Sequence, residues 1–141
     1  MTMTKWTITT ILCDLVLAVV INTSAMLLTG AEITPVSWYP GTASAFFTNV
    51  LLQLVLPVPG IAAGLTGWIP RGTARLAASV FVENLIFVTC ISLTMAYLGT
   101  GGPGLIEAWI ATYPALIAIG YVTSIVLVTA TAPAAPAPDE L

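Results

Sequence analysis

Residues 7–29 read TITTILCDLVLAVVINTSAMLLT, and this stretch decides the class of fold. It carries a single charge, Asp14. A helix needs about 20 mostly apolar residues to cross roughly 30 Å of hydrocarbon, so the stretch predicts a membrane-spanning helix. Lys5 ahead of an apolar run is also how a secretory signal begins. This run is longer than a signal's apolar core, and no convincing small-x-small cleavage site lies near Gly30. The helix is expected to be retained.

Three further stretches meet the same test, at about 43–66, 76–98 and 105–129. Lipid offers no partner for backbone N–H and C=O groups, so each span must be a helix or part of a closed barrel. The apolar runs are continuous rather than alternating, which excludes the barrel. Composition agrees: 58% of the 141 residues are hydrophobic and 6% charged, giving a net charge of −3. Soluble domains carry about 25% charged residues, and nine charges cannot solvate a globule of this length. The predicted fold is all-α, an integral membrane four-helix bundle.

Lys5 precedes the first span, and Arg71 and Arg75 lie between the second and third. The loops near 30–42 and 99–104 hold neither Lys nor Arg. The positive-inside rule then places both termini in the cytoplasm of a multi-pass cell-membrane protein, in a bacterium the inner membrane. Trp38 and Tyr39 suit an outer aromatic belt, and Trp6 and Trp68 an inner one. Pro57 and Pro59 each remove a backbone donor and crowd the preceding turn, so a kink or break is expected there. The Pro/Ala-rich tail, 130–141, is expected to be disordered.

The chain reads as two copies of one helix–loop–helix unit, 1–69 and 70–129. Aligning Ile11–Gly30 with Phe81–Gly99 sets Asp14 against Glu83, Thr23 against Ser92, Met26 against Met95 and Gly30 against Gly99. In the second helices, Pro40-Gly41 is matched with Pro103-Gly104, Ala45 with Ala108 and Phe46 with Trp109. Two spans per unit make these parallel repeats, with an axis along the membrane normal.

This duplicated unit, the polar-flecked helix Val82–Met95 and the opening Ala108-Trp109-Ile110-Ala111 resemble a group of small bacterial membrane proteins. That group is built from one or two copies of a two-helix domain of unknown function. The resemblance spans Ile11–Val128 and implies a multi-helix membrane protein with no established chemistry. The chain departs from the group's pattern in lacking a basic cluster after each second helix, having only Arg71 and Arg75 after the first.

Asp14 and Glu83 are the residues most in need of explanation. A carboxylate within a span costs about 2.5–3.5 kcal/mol or more unless it is shielded, paired or neutralised. One reading is a proton- or cation-coupled site. The other is a pair of hydrogen-bonded carboxyls, held by Asn84, Cys13 or a backbone carbonyl, that ties the first and third spans together. Asn22 shares a face with Asp14, and Asn49 and Gln53 are one turn apart on the second span. Counting from the helix ends sets Asn22 level with Asn49, and Asp14 somewhat below Gln53. The polar residues could thus form a stripe, lining a path or joining helices.

Other features read as packing. Gly60 and Gly64 have a small-xxx-small spacing that permits close helix approach. Tyr113 and Tyr121 share a face of the fourth span, and Cys13 and Cys90 read as small buried hydrophobes. Histidine is absent, and no nucleophile–base pair, phosphate loop or metal-ligand cluster is recognisable, so no enzyme, cofactor or nucleic-acid partner is expected. The function expected is a small oligomeric transport or channel-like protein passing protons or cations, with lipid and further copies or another membrane protein as partners. The alternative is a non-catalytic structural or accessory subunit of a membrane complex.

Overall fold

The computed structural model describes residues 6–131 and contains five helices and, among those residues, no strand. They are α1 (Ile8–Thr29), α2 (Pro35–Val55), α3 (Val58–Thr66), α4 (Thr73–Thr100) and α5 (Leu105–Thr131). Helices α1, α4 and α5 are long and apolar enough to cross a membrane. Helices α2 and α3 pass that test together as one broken span, bent by 70°.

Local chemistry explains the ends. Thr7 caps α1, its hydroxyl accepting from the Thr10 amide, and Gly30 closes it at φ +70°. There the Gly30 and Ala31 amides donate to Leu27 O and Met26 O, satisfying carbonyls the helix leaves open. Thr34 and Ser37 form a reciprocal cap at the start of α2, with Pro35 in the first turn, where its missing N–H costs nothing. At the other end Pro57 and Pro59 end the run: α2 stops at Val55 and α3 starts afresh at Val58.

Two expectations change. Helix α2 begins at Pro35, not near residue 43, because Thr34 and Pro35 are a helix start. The connection to α1 shrinks to 30–34, and Trp38 is inside a helix. Helix α5 runs to Thr131, so the first two residues of the expected disordered tail are helical; 132–141 lie outside the described residues, as does Lys5.

The helices make a ring of neighbours: α1 packs on α2, α2 on α4, α4 on α5 and α5 on α1, with α3 against α4. Leu17, Ala18, Ile21, Ala45, Val88, Ile91 and Leu116 fill the centre. The outer faces are apolar and exposed, as at Leu15, Phe47, Phe81, Ile110 and Val126. Such a surface is suited to hydrocarbon rather than water.

Two tryptophans bridge the hairpins in the same way. Trp38 Nε1 donates to Thr23 Oγ1 at 2.9 Å, and Trp109 Nε1 to Ser92 Oγ at 2.9 Å. Thr23 and Ser92 are the positions paired by the alignment of the first helices. Trp109 thus makes the kind of bond that Trp38 makes, whereas the alignment of the second helices set it against Phe46. Pro40-Gly41 lies inside α2 whereas Pro103-Gly104 lies in the turn before α5. Replacing either tryptophan by phenylalanine keeps most of the ring contact and removes one bond. Each variant is expected to lose about 0.6 kcal/mol, read by reversible unfolding in mixed micelles.

Candidate functional site

The core of this apolar molecule contains Asp14, Asn22, Thr42, Asn49, Gln53, Thr66, Asn84 and Ser92, all buried. Asp14 is only 6% exposed. It accepts one hydrogen bond, from Gln53 Nε2 to Oδ1 at 2.8 Å, across the α1–α2 interface. Asn49 Nδ2, one turn before Gln53, donates to the main-chain oxygen of Asp14 at 3.4 Å. Asp14 Oδ2, Gln53 Oε1 and Asn49 Oδ1 are buried with no hydrogen-bond partner. Neither Asn84 nor Cys13 hydrogen-bonds the Asp14 carboxyl; its side-chain partner is Gln53 of α2.

Asp14 and Glu83 line one cavity of about 260 Å³, together with Gln53, Asn84, Ser124 and Phe87 among others. No lysine or arginine lines it, and among the described residues Glu83 has neither an ion pair nor a hydrogen bond. The cavity sits where the first half of α1, the end of α2, the first half of α4 and the last turns of α5 meet. The two acids that sequence alignment paired therefore share one space.

Asn22 is elsewhere. Its Nδ2 donates to Trp38 O at 3.1 Å and Thr42 Oγ1 at 3.0 Å. It lines a second cavity, of about 630 Å³, at the opposite end of the helices with Met26, Met95, Thr112 and Leu116. The expected level of Asn22 with Asn49 is corrected: because α2 starts eight residues earlier than supposed, Asn49 lies about 12 Å deeper along its axis. The polar stripe is thus divided. Between the cavities stand Ala18, Ile21, Ala45, Val88 and Ile91, all buried, so an apolar layer separates Asp14 and Gln53 from Asn22.

Two asparagines also clamp neighbouring helices. Asn84 Nδ2 donates to Ile117 O at 3.0 Å, and its unpartnered Oδ1 lies against Gly120. Asn22 does the same on α2, donating to Trp38 O and resting its Oδ1 on Gly41. In both cases the glycine stands three residues beyond the accepting carbonyl. A Cβ on Gly41 would overlap Asn22 Oδ1, and one on Gly120 would stand 2.6 Å from Asn84 Oδ1. These glycines, not Gly64, mark the close approaches: a Cβ on Gly64 would meet nothing within 4 Å.

The remaining candidates are accounted for by packing. Tyr113 Oη pairs with Thr89 Oγ1 at 2.6 Å, and Tyr121 Oη donates to Ala77 O at 3.1 Å, so both tie α5 to α4. Cys13 and Cys90 are free thiols, and no group of three or more His, Cys, Asp or Glu among the described residues could hold a metal. Glu32 and Glu107 are exposed. Trp38 is turned towards α1, bonded to Thr23; Trp6, Tyr39 and Trp68 are exposed.

Comparison with family models, curated proteins and solved structures finds no match for this chain.

Proposed function

We propose that the chain is a small multi-pass membrane transport or channel-like protein in which Asp14 and Glu83 pass protons or cations. The observation that carries this reading is the shared cavity: both carboxyls and Gln53 line it, with no basic residue beside them. A pair of acids kept only to join helices would be expected to be fully capped by hydrogen bonds, since an unmet buried group costs about 1–3 kcal/mol. Here Asp14 Oδ2 is without a partner. Glu83 has none either.

In this reading α2 and α3 act as one broken span, completing a four-helix bundle of two parallel hairpins with both termini cytoplasmic. The matched Trp38 and Trp109 bonds support the duplication. The cavity holding the acids then opens towards the cytoplasmic end, where Arg71 and Arg75 stand, and the cavity lined by Asn22 towards the outside. The protein works as a homo-oligomer, for which the exposed apolar residues of α5, Ile106 and Ile110 near its start and Val122 and Val126 near its end, offer contact surface.

The test is flux of protons and monovalent cations in proteoliposomes, comparing the native protein with Asp14→Asn and Glu83→Gln. Flux should collapse in both variants while each still purifies as a folded species. A native protein that conducts nothing under any gradient would refute the proposal and point to the accessory-subunit alternative. The middle layer makes a further prediction. Dry apolar constrictions gate by excluding water, so Ile91→Ser should raise flux by opening the layer; unchanged flux would show that passage avoids it.

A further inference from the structure

The cavity between the two acids is unbalanced in its chemistry. Asp14 Oδ2 and Gln53 Oε1 are hydrogen-bond acceptors without donors, on side chains 6% and 5% exposed. The orientation of the Gln53 amide follows from its partner: Nε2 donates to Asp14 Oδ1, which leaves Oε1 as the free atom. The second carboxyl, Glu83, lines the same space with no cation beside it. What the cavity lacks is positive charge and N–H donors.

Its walls narrow the choice of occupant. Leu17, Val58, Val80, Phe87, Leu127 and Val128 give it mostly apolar walls, and Asp14 and Glu83 are its only carboxylates. A dehydrated hard metal ion takes about six or more oxygen ligands, several of them charged, and among the described residues no group of three or more His, Cys, Asp or Glu gathers to hold one. A quaternary ammonium has no N–H and would leave Asp14 Oδ2 and Gln53 Oε1 unmet. A primary ammonium has three donors, enough for Asp14 Oδ2, Gln53 Oε1 and one further oxygen of Glu83 or Ser124. The apolar walls would receive its alkyl chain, and Phe87 offers an aromatic ring near the charge.

We propose that the cavity between Asp14 and Glu83 binds a small primary alkylammonium ion. This rests on the reading of that cavity as a cation site and names the class of cation it takes. Binding needs no covalent step: the ammonium enters charged and leaves charged.

The experiment is equilibrium binding to the detergent-solubilised full chain by calorimetry, with n-butylammonium, tetramethylammonium, sodium and n-butanol as probes. Butylammonium is expected to bind at least about tenfold more tightly than tetramethylammonium or sodium, since a site built for N–H donors discriminates against ligands lacking them. Butanol should bind no better than tetramethylammonium. Asp14→Asn should weaken butylammonium by about 30-fold or more, the usual effect of removing one partner of a buried charge pair. Equal binding of sodium or tetramethylammonium would overturn the proposal, as would butanol binding as well as butylammonium. These comparisons are made on the native protein, so they hold even where a variant does not fold. Proton flux through Asp14 without ammonium binding overturns this inference and leaves the transport reading intact. Ammonium binding without any flux does the reverse.

Discussion

Gly120→Ala is expected to destabilise the protein by about 1–3 kcal/mol, the usual range for adding a methyl to a packed core. A Cβ there would stand 2.6 Å from Asn84 Oδ1, 2.7 Å from Val88 Cγ2 and 3.3 Å from Ile21 Cδ1. Three helices crowd that point, so no single side chain can move aside to make room. Gly41→Ala should behave differently. The three atoms nearest its Cβ all belong to Asn22, which is held by bonds to Trp38 O and Thr42 Oγ1. Adding Asn22→Ala should therefore relieve much of the Gly41→Ala penalty, giving strong non-additivity between the two changes. Asn84→Ala should relieve Gly120→Ala only in part, since Val88 remains in the way. Gly64→Ala is the control: nothing lies within 4 Å of its Cβ, and alanine favours helix over glycine by about 1 kcal/mol. Unfolding in mixed micelles measures all of these. A neutral Gly120→Ala would mean that α4 and α5 do not approach so closely in the folded protein.

The contrast among these glycines shows where reading the sequence alone stops. Length and apolar content locate α1, α4 and α5 to within three residues at each end, because a continuous run of about 20 or more apolar residues is unmistakable in sequence. The Pro57-Val58-Pro59 run marks the place where α2 gives way to α3. The start of α2 is missed by eight residues, since Val36, Trp38 and Tyr39 read as an interfacial loop when the Thr34–Ser37 cap is overlooked. That single error moves Asn49 and Gln53 away from their true level and draws Asn22 into a continuous stripe. The shared cavity of Asp14 and Glu83 is legible only in part: each carboxyl falls in the first half of its helix, but α1 has 22 residues and α4 has 28, so their meeting depends on how the helices pack. The clamps on Gly41 and Gly120 carry no such signal. Every helix here contains small residues, and only the path of the neighbouring backbone tells which of them is pressed.

Gln53→Leu is expected to cost about 1–3 kcal/mol, because it removes the one donor to a buried carboxyl group. Asp14→Leu leaves Gln53 Nε2 without an acceptor and should cost a similar amount. The double variant is the informative one. Replacing both members of a buried polar pair by apolar groups of similar size is often nearly neutral, so Asp14→Leu with Gln53→Leu should recover most of the stability that either change loses. Such a result would show that folding does not need this polar pair. A pair that folding does not need, with the Asp14 carboxyl buried among apolar helices at a cost, would support the proposed role in passage. Flux in the same double variant completes the argument. Stability restored with flux abolished is the expected outcome. Stability that falls by the sum of the single changes, with flux unaltered, would make Asp14 and Gln53 a tie between α1 and α2 and leave Glu83 to carry any passage alone.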